Sequence, residues 1–315
     1  MNASVTVILA TGGTIAGTAA DPAAAHDYEA ARLGIDSLVA AVPPLATLPL
    51  ESRQVAQVDS RSMTHALWQR LAGEVHAQLA RREVGGVVVT HGTDTLEETA
   101  YFLQRVLAPL KPVVLTAAMR PANAPGADGP ANLYDAVRLA RLAEASGVTV
   151  VVGGEVFDGR DLRKVHANRL AAFAAGDGGP LGRLEGAALR RWRDWPRGSA
   201  LGLERIARDA AAWPRVEIVL NHAGADGRIV DALVAGGVDG IVVAGTGSGT
   251  LSDGLAAAAA RAVASGVVVR RASRCAFGAV RDSPPPALPA AGAASAVQAR
   301  VEVLLELLGR PPRAG

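Results

Sequence analysis

Short apolar runs alternate along the chain with longer stretches in which apolar residues recur every three or four positions. The short runs are rich in valine and isoleucine and apolar at nearly every position, which is typical of strands buried on both faces of a sheet. The pattern predicts strands at Val5–Thr11, Gly86–Thr90, Pro112–Ala117, Thr149–Gly153, Val216–Asn221, Gly240–Ala244 and Gly266–Arg270, and helices at Thr64–Arg82, Leu96–Leu107, Pro130–Ala145, Asp253–Ser265 and Ala296–Leu308. Their alternation predicts a doubly wound α/β fold.

The periodic pattern fades between residues 176 and 214, a stretch that contains the loop sequence Gly-Asp-Gly-Gly-Pro. A chain of 315 residues is long for one core, and domain boundaries fall where regular structure is interrupted. We therefore predict a larger N-terminal domain over residues 1–190, a linker over 191–213 and a smaller C-terminal domain over 214–315. Each domain is expected to hold a mostly parallel sheet with helices on both faces.

Composition and charge narrow the class of protein. Basic and acidic residues number 32 and 30 and are interspersed, so the chain lacks the basic footprint of a nucleic-acid partner. No apolar run approaches the roughly 18 residues of a membrane helix. The N-terminus lacks the pattern of a signal peptide, so the expected location is the cytoplasm, or the periplasm if a signal has been removed. The single cysteine, Cys275, excludes a disulfide framework and is expected to be a packed thiol.

Glycines and hydroxyls follow two of the predicted strands. The first strand ends in ATGGTIAG (residues 10–17), and a later one ends in THGTDTLEET (residues 90–99). Neither matches a nucleotide-binding fingerprint. Thr93 and Asp94 could simply cap a helix, and His91 could serve only to order the turn at Gly92. The alternative is that the two strand ends converge on one crevice, since ligands bind at the carboxyl ends of strands in such sheets.

The motifs at 10–17 and 90–102 together resemble those of the bacterial-type L-asparaginase family, including its glutaminase-asparaginases, and are closest to the type II branch. The likeness runs in order over nearly the whole chain. Further matching stretches are AVPPL (41–45), VDSRSM (58–63), PVVLTAAMRP (112–121), DGPANLYDAV (128–137), DGRDLRK (158–164) and DGIVVAGTGSG (239–249). The resemblance implies hydrolysis of L-asparagine to L-aspartate and ammonia through a covalent acyl-enzyme, in two α/β domains.

The resemblance also implies roles for individual residues. Thr14 matches the nucleophile, and Tyr28 matches the tyrosine of the lid over the site. Ser60 matches the residue that binds the α-carboxylate of the substrate. No cofactor or metal is implied, because threonine acyl transfer is complete with side chains and backbone donors.

A second group implied by the resemblance consists of Thr93, Asp94 and Lys164. Asp94 matches the carboxylate that holds the α-ammonium, and Lys164 completes a Thr-Lys-Asp group. Chemistry supports the lysine independently, because a threonine hydroxyl must be activated and an arginine cannot release its proton. The chain contains only two lysines, Lys111 and Lys164, although it is rich in arginine. The alternative reading of Lys164 is a surface lysine after an acidic loop.

Three positions depart from the family pattern. Arg61 follows Ser60 where close relatives usually carry glutamine, so we expect it to touch the substrate and to alter selectivity, above all toward glutamine. Ser248 stands where the family often has asparagine. The glutamate that reaches a neighbouring subunit's site has no clear counterpart, the loop after Arg274 is shorter, and Asp282 is the nearest acid.

Assembly and alternative functions complete the expectations. The resemblance implies a homotetramer, built as a dimer of intimate dimers, with L-asparagine as its small-molecule partner. One alternative is a non-enzymatic amino-acid binder on the same fold, which would need Asp94 but no nucleophile. Another is the related subunit of a tRNA-dependent amidotransferase, which predicts an extra N-terminal domain and a basic surface.

Overall fold

The computed structural model describes residues 4–21, 28–186, 188–282 and 288–311. The chain divides into two compact units, residues 1–203 and 204–315. The division falls within the stretch 191–213; its role as a linker stays a prediction.

The first unit contains twelve strands and four helices among the described residues. Its strands are β1 (Val5–Gly12), β2 (Thr18–Ala19), β3 (Tyr28–Glu29), β4 (Leu50–Val58), β5 (Val84–Thr90), β6 (Val113–Thr116), β7 (Val148–Val152), β8 (Glu155–Asp158), β9 (Arg163–Lys164), β10 (Phe173–Ala174), β11 (Gly182–Glu185) and β12 (Ala188–Arg191). Its helices are α1 (Ile35–Ala40), α2 (His65–Ala80), α3 (Leu96–Leu107) and α4 (Gly129–Ala140).

The main sheet has the strand order β12-β11-β8-β7-β6-β5-β1-β4. Strands β4, β1, β5, β6 and β7 run parallel, whereas β8, β11 and β12 are antiparallel to their neighbours. The chain passes from β1 outward to β4 and then crosses back to β5 on the other side of β1. Strand order therefore reverses between β1 and β5, and a reversal of this kind leaves a crevice at the carboxyl ends of the two strands.

Helices cover both faces of this sheet, which confirms the predicted α/β architecture. Ile8, Val88 and Val114 pack in one apolar cluster with α1 and α4. Neighbouring strand residues point to the opposite face, where α2 and α3 pack on β5 and β7. On that side the rings of Trp68 and Phe102 are stacked with centroids 4.9 Å apart. Burial on both faces explains why β1 and β5 are continuously apolar.

The second unit has a sheet of order β13-β14-β15, formed by β13 (Val216–Leu220), β14 (Gly240–Gly245) and β15 (Val268–Ser273), all parallel. Its helices are α5 (Arg228–Ala235), α6 (Asp253–Ala264) and α7 (Ala296–Leu308). Helices α5 and α6 share one apolar cluster with the sheet, and α7 packs on β13, β14 and β15. The expectation of a packed thiol is wrong, because Cys275 lies exposed just after β15. Over the described parts of both units, every helix is too short or too polar to cross a membrane.

Candidate active site

Three parallel strands lead into hydroxyl-bearing residues at the carboxyl end of the main sheet. Strand β1 leads into Thr14, β4 leads into Ser60, and β5 leads into Thr93. Because β4, β1 and β5 are adjacent and parallel, their carboxyl ends lie side by side. All three residues are buried, with at most 6% of their surface exposed. The structure therefore brings the two predicted turns together at the point where strand order reverses.

Close packing of two glycines joins the turns after β1 and β5. Gly13 has φ +83°, a left-handed conformation that favours glycine. Its backbone approaches Gly92 so closely that a Cβ on Gly13 would lie 2.4 Å from the Gly92 nitrogen. A Cβ on Gly92 would in turn lie 2.5 Å from Ser60 Oγ. The two glycines thus allow the turns that follow the three strands to pack in direct contact.

The Thr14 hydroxyl is paired with a phenol. Thr14 Oγ1 lies 2.7 Å from Tyr28 Oη. Tyr28 belongs to the small antiparallel pair β2–β3, in which it lies opposite Ala19. Either oxygen can donate this hydrogen bond.

A second group is centred on the ammonium of Lys164. Lys164 Nζ donates hydrogen bonds to Thr93 Oγ1 at 2.9 Å and to Asp94 Oδ1 at 2.7 Å. The lysine comes from β9, which pairs with β10 and is remote in sequence from β5. The Lys164 side chain is 17% exposed, whereas that of Asp94 is 52% exposed. The ammonium is therefore enclosed, and the carboxylate remains open to a ligand.

Ser60 holds the second turn in place. Its hydroxyl accepts a hydrogen bond from the backbone N–H of Asp94 at 3.1 Å. Its carbonyl accepts one from the Thr95 hydroxyl at 2.8 Å. Ser60 thus ties the end of β4 to the residues that precede α3.

Three further predicted positions are placed differently. The Arg61 side chain is 77% exposed, and its Nε lies 3.2 Å from Asp59 Oδ2. Ser248 and Asp282 belong to the second unit, and both are exposed. Asp282 accepts a hydrogen bond from the backbone N–H of Ala290 at 2.7 Å. Participation of Arg61, Ser248 and Asp282 in a site stays a prediction.

Glu97, in the first turn of α3, is not among the site residues predicted from the sequence. In the structure a carboxylate oxygen of Glu97 lies 3.4 Å from the backbone nitrogen of Lys164, which donates to it. Burial of the carboxyl raises the pKa of Glu97 to about 7, although Lys164 and Arg163 lie near it. Its position three residues after Asp94 could have identified it, because residues at this spacing lie on the same face of a helix. Glu97 anchors the strand that carries Lys164.

A buried chain of hydrogen bonds connects α2 and α3 to the turn at Gly92. Trp68 Nε1 donates to Thr99 Oγ1 at 2.9 Å, and Thr99 Oγ1 lies 3.1 Å from His91 Nε2. His91 Nδ1 lies 2.7 Å from the Gly92 carbonyl, so Nδ1 carries the proton and Nε2 accepts from Thr99. Burial lowers the pKa of His91 to about 4, which keeps the ring neutral near pH 7. His91 therefore orders the Gly92 turn as a neutral tautomer.

Comparison with protein families assigns both units. Residues 5–196 match the family model "Asparaginase, N-terminal", and residues 215–308 match "Glutaminase/Asparaginase C-terminal domain". The chain belongs to the asparaginase family. This membership confirms the resemblance carried by the sequence motifs.

Individual asparaginases are similar over most of their length. The chain is 39% identical to L-asparaginase 2 of Escherichia coli (strain K12) over 275 residues, which cover 86% of this chain and 78% of that protein. It is 37% identical to the glutaminase-asparaginase of Pseudomonas fluorescens biotype A, over 85% of this chain and 74% of that protein. The solved structure of a probable cytoplasmic L-asparaginase from Campylobacter jejuni has a TM-score of 0.91 at 34% identity, covering 98% of this chain and 96% of that one.

The side chains of the candidate site carry the functional groups that acyl transfer requires. Within the described ranges, no three His, Cys, Asp or Glu side chains are grouped so as to hold a metal ion. Three hydroxyls, a phenol, a carboxylate and an ammonium lie at or beside the carboxyl end of the sheet. Such a set can transfer an acyl group to a hydroxyl and move the protons that this transfer requires. The roles of the individual residues in this asparaginase-family site stay predictions.

Proposed function

We propose that this chain hydrolyses L-asparagine to L-aspartate and ammonia, with Thr14 as the nucleophile. The observation that carries the proposal is the double hydrogen bond of Lys164 Nζ to Thr93 and Asp94, beside the turn that holds Thr14. A binding protein would use the exposed Asp94 carboxylate alone. An enclosed ammonium in contact with a hydroxyl adds the means to move a proton.

The reaction proceeds in two balanced steps. The Oγ1 of Thr14 attacks the side-chain amide carbon of asparagine and loses its proton, through Tyr28 or the Thr93–Lys164 pair. The carbon–nitrogen bond then breaks, and the nitrogen takes up a proton and leaves as ammonia. Water attacks the resulting ester, which releases aspartate and returns the proton to Thr14.

The same residues account for substrate binding. The carboxylate of Asp94 is the natural partner of the α-ammonium, because its side chain is half exposed. In the proposed reaction the Ser60 hydroxyl binds the α-carboxylate, the role that the family resemblance implies. Backbone N–H groups of the two glycine-rich turns would stabilise the oxyanion, a contribution of about 3 kcal/mol for each donor in comparable enzymes.

The decisive experiment measures ammonia release from L-asparagine and L-glutamine by the wild type and by Thr14→Ala. We expect release from asparagine that disappears in Thr14→Ala, and slower release from glutamine. Acid quenching followed by peptide mass mapping should locate the acyl group on the peptide that contains Thr14. An acyl group on the Thr93 peptide would reverse the roles of the two threonines.

A different result would favour another function. If the wild type binds asparagine in calorimetry but releases no ammonia, the chain is an amino-acid binder and the proposal fails. Ammonia release only in the presence of a tRNA-linked acceptor would favour an amidotransferase subunit.

We further propose a homotetramer, as the family resemblance implies, and a cytoplasmic location, as the name of the similar Campylobacter jejuni protein, a probable cytoplasmic L-asparaginase, suggests. Light scattering coupled to size exclusion tests the assembly: a fully active monomer would contradict it. Fractionation of cells expressing the native gene tests the location, and recovery in the periplasm would contradict it.

A further inference from the structure

Strand β2, which pairs with the strand of Tyr28, is hydrogen-bonded by the side-chain amide of Asn123, a residue remote in sequence. Asn123 Nδ2 donates to the Ala19 carbonyl at 2.7 Å, and the Ala19 N–H donates to Asn123 Oδ1 at 2.9 Å. The backbone of Ala122 adds a third hydrogen bond, from its N–H to the Gly17 carbonyl at 2.8 Å. Residues 122–123 therefore make three hydrogen bonds to residues 17–19, which contain β2.

The geometry of an antiparallel pair explains why the amide is needed. Residues of such a pair alternate between hydrogen-bonded and non-hydrogen-bonded positions. Ala19 gives both its N–H and its C=O to Asn123, which places these groups on the side away from β3. A side-chain amide presents an N–H donor and a carbonyl acceptor side by side, so it can satisfy both.

The loop that carries Asn123 is itself fixed from α4. The carboxylate of Asp128 accepts hydrogen bonds from the backbone N–H groups of Met119 and Arg120 at 2.9 Å each. Buried Asn132 donates to Asp128 Oδ2 at 3.1 Å and to the Ala117 carbonyl at 2.8 Å. A chain of polar contacts therefore runs from α4 through this loop to β2.

Beyond β2 the chain of contacts ends at the candidate nucleophile. Ala19 lies opposite Tyr28 in the β2–β3 pair, and Tyr28 Oη lies 2.7 Å from Thr14 Oγ1. A two-residue strand has few ladder hydrogen bonds, so its position depends on external partners. Asn123 provides two of them.

We propose that Asn123 is a positioning residue that holds the Tyr28 phenol on the Thr14 hydroxyl. The inference rests on the proposed function, in the form in which the Thr14 proton passes through Tyr28. Asn123 need not touch the substrate. It acts through Ala19 and the register of β2 with β3.

The test compares steady-state asparagine hydrolysis by Asn123→Ala and Asn123→Asp. Asn123→Ala removes both hydrogen bonds, and we expect kcat to fall about 10-fold, since small displacements of reacting groups carry large rate penalties. Asn123→Asp keeps the acceptor for the Ala19 N–H but not the donor, so its loss should be smaller. Asn168→Ala, at an exposed asparagine whose backbone N–H donates to His166, is the control expected to match the wild type.

A double-mutant cycle separates positioning from general loosening of the fold. If Asn123 acts through Tyr28, Asn123→Ala should lower kcat about 10-fold in the wild type but less than about 2-fold in a Tyr28→Phe background. Its effect on the melting temperature should be the same in both backgrounds. An equal loss of kcat in both backgrounds would overturn the inference, as would a wild-type kcat for Asn123→Ala.

Failure of this inference is distinguishable from failure of the proposed function. If Tyr28→Phe itself leaves kcat unchanged, the role of Tyr28 in the proposed reaction is wrong. If Tyr28→Phe is impaired and Asn123→Ala is not, only the positioning role of Asn123 is wrong.

Discussion

The backbones of Gly13 and Gly92 are in contact, to the point that a Cβ on Gly13 would lie 2.3 Å from the Gly92 Cα. Real Cβ atoms do not approach other atoms so closely, so neither turn could keep its position with a side chain there. The contact joins the turn that bears Thr14 to the turn that bears Thr93. It is therefore the spatial basis of the whole site.

Gly13→Ala should abolish activity while leaving most of the fold intact. The new methyl group must displace the Gly92 turn, and the left-handed φ adds strain of about 1–3 kcal/mol. We expect kcat/KM for asparagine to fall more than about 100-fold. Gly179→Ala is the matched control, because Gly179 has φ +68° with open space around its Cβ position. It should lose similar stability and keep its activity; equal activities of the two variants would argue against the contact.

Lys164→Arg should be inactive although it preserves the positive charge. A guanidinium can pair with Asp94 but cannot release a proton. Proton transfer by a positioned group typically contributes 10²–10⁴-fold, so kcat should fall by at least about 100-fold. The control is Lys111→Arg, at the other lysine of the chain, whose Nζ donates to the carbonyls of Leu79 and Arg81. Substantial activity in Lys164→Arg would exclude proton transfer by Lys164.

Glu97 predicts a pH dependence of stability. Its pKa is raised by burial from 4.5 to about 7, so the folded state keeps a proton that the unfolded state has lost. The contribution of Glu97 to the free energy of unfolding is thus fully present below pH 4.5 and is lost as the pH rises through 7. Glu97→Gln removes this loss, so its melting temperature should rise relative to the wild type between pH 5 and pH 8.

The control for Glu97 is Glu51→Gln. The pKa of exposed Glu51 is lowered, mainly by a hydrogen bond from Arg81. Its variant should show no gain in relative melting temperature as the pH rises. A flat difference between Glu97→Gln and the wild type would show that Glu97 is ionised throughout.

Thr99→Val should destabilise the first unit. The substitution removes the acceptor of the Trp68 indole N–H and the donor to His91 Nε2. A buried polar group without a partner costs about 1–3 kcal/mol, which a urea unfolding curve can resolve. Thr149→Val is the control, because the buried Thr149 hydroxyl has no hydrogen-bond partner among the residues that the structure describes. Equal stabilities of the two variants would contradict the importance of the Trp68–Thr99–His91 chain.

The elements that could be predicted from the sequence are those with a strong local pattern of apolar residues. Strand β5 and helices α3 and α7 were predicted within a few residues, because continuous burial or helical amphipathicity marks them. Strand β4 was not predicted: it lies at the edge of the sheet, and only Val55 among its nine residues is buried. The short helices α1 and α5 were also missed, since two turns give too little periodicity to detect.

The candidate site likewise has a part that could be predicted from the sequence and a part that could not. The placement of Thr14 and Thr93 near each other follows from two strand ends and a parallel sheet, so the sequence could predict it. The contacts of Glu97 with β9 and of Asn123 with β2 join segments 67 and 104 residues apart. No local pattern records such a pairing, and it becomes visible only after the chain has folded.

The strand order of the main sheet also dictates when catalytic competence can arise during synthesis. The turn with Thr14 emerges from the ribosome first, yet β1 lies between β4 and β5, which are made later. Lys164 follows later still, on a short hairpin that needs β10 as its partner. Since pairing between distant segments is slow, the proposed roles imply that Thr14 in the nascent chain lacks the Lys164 group until the first unit is nearly complete. If those roles hold, hydrolysis can begin only when the first unit has folded.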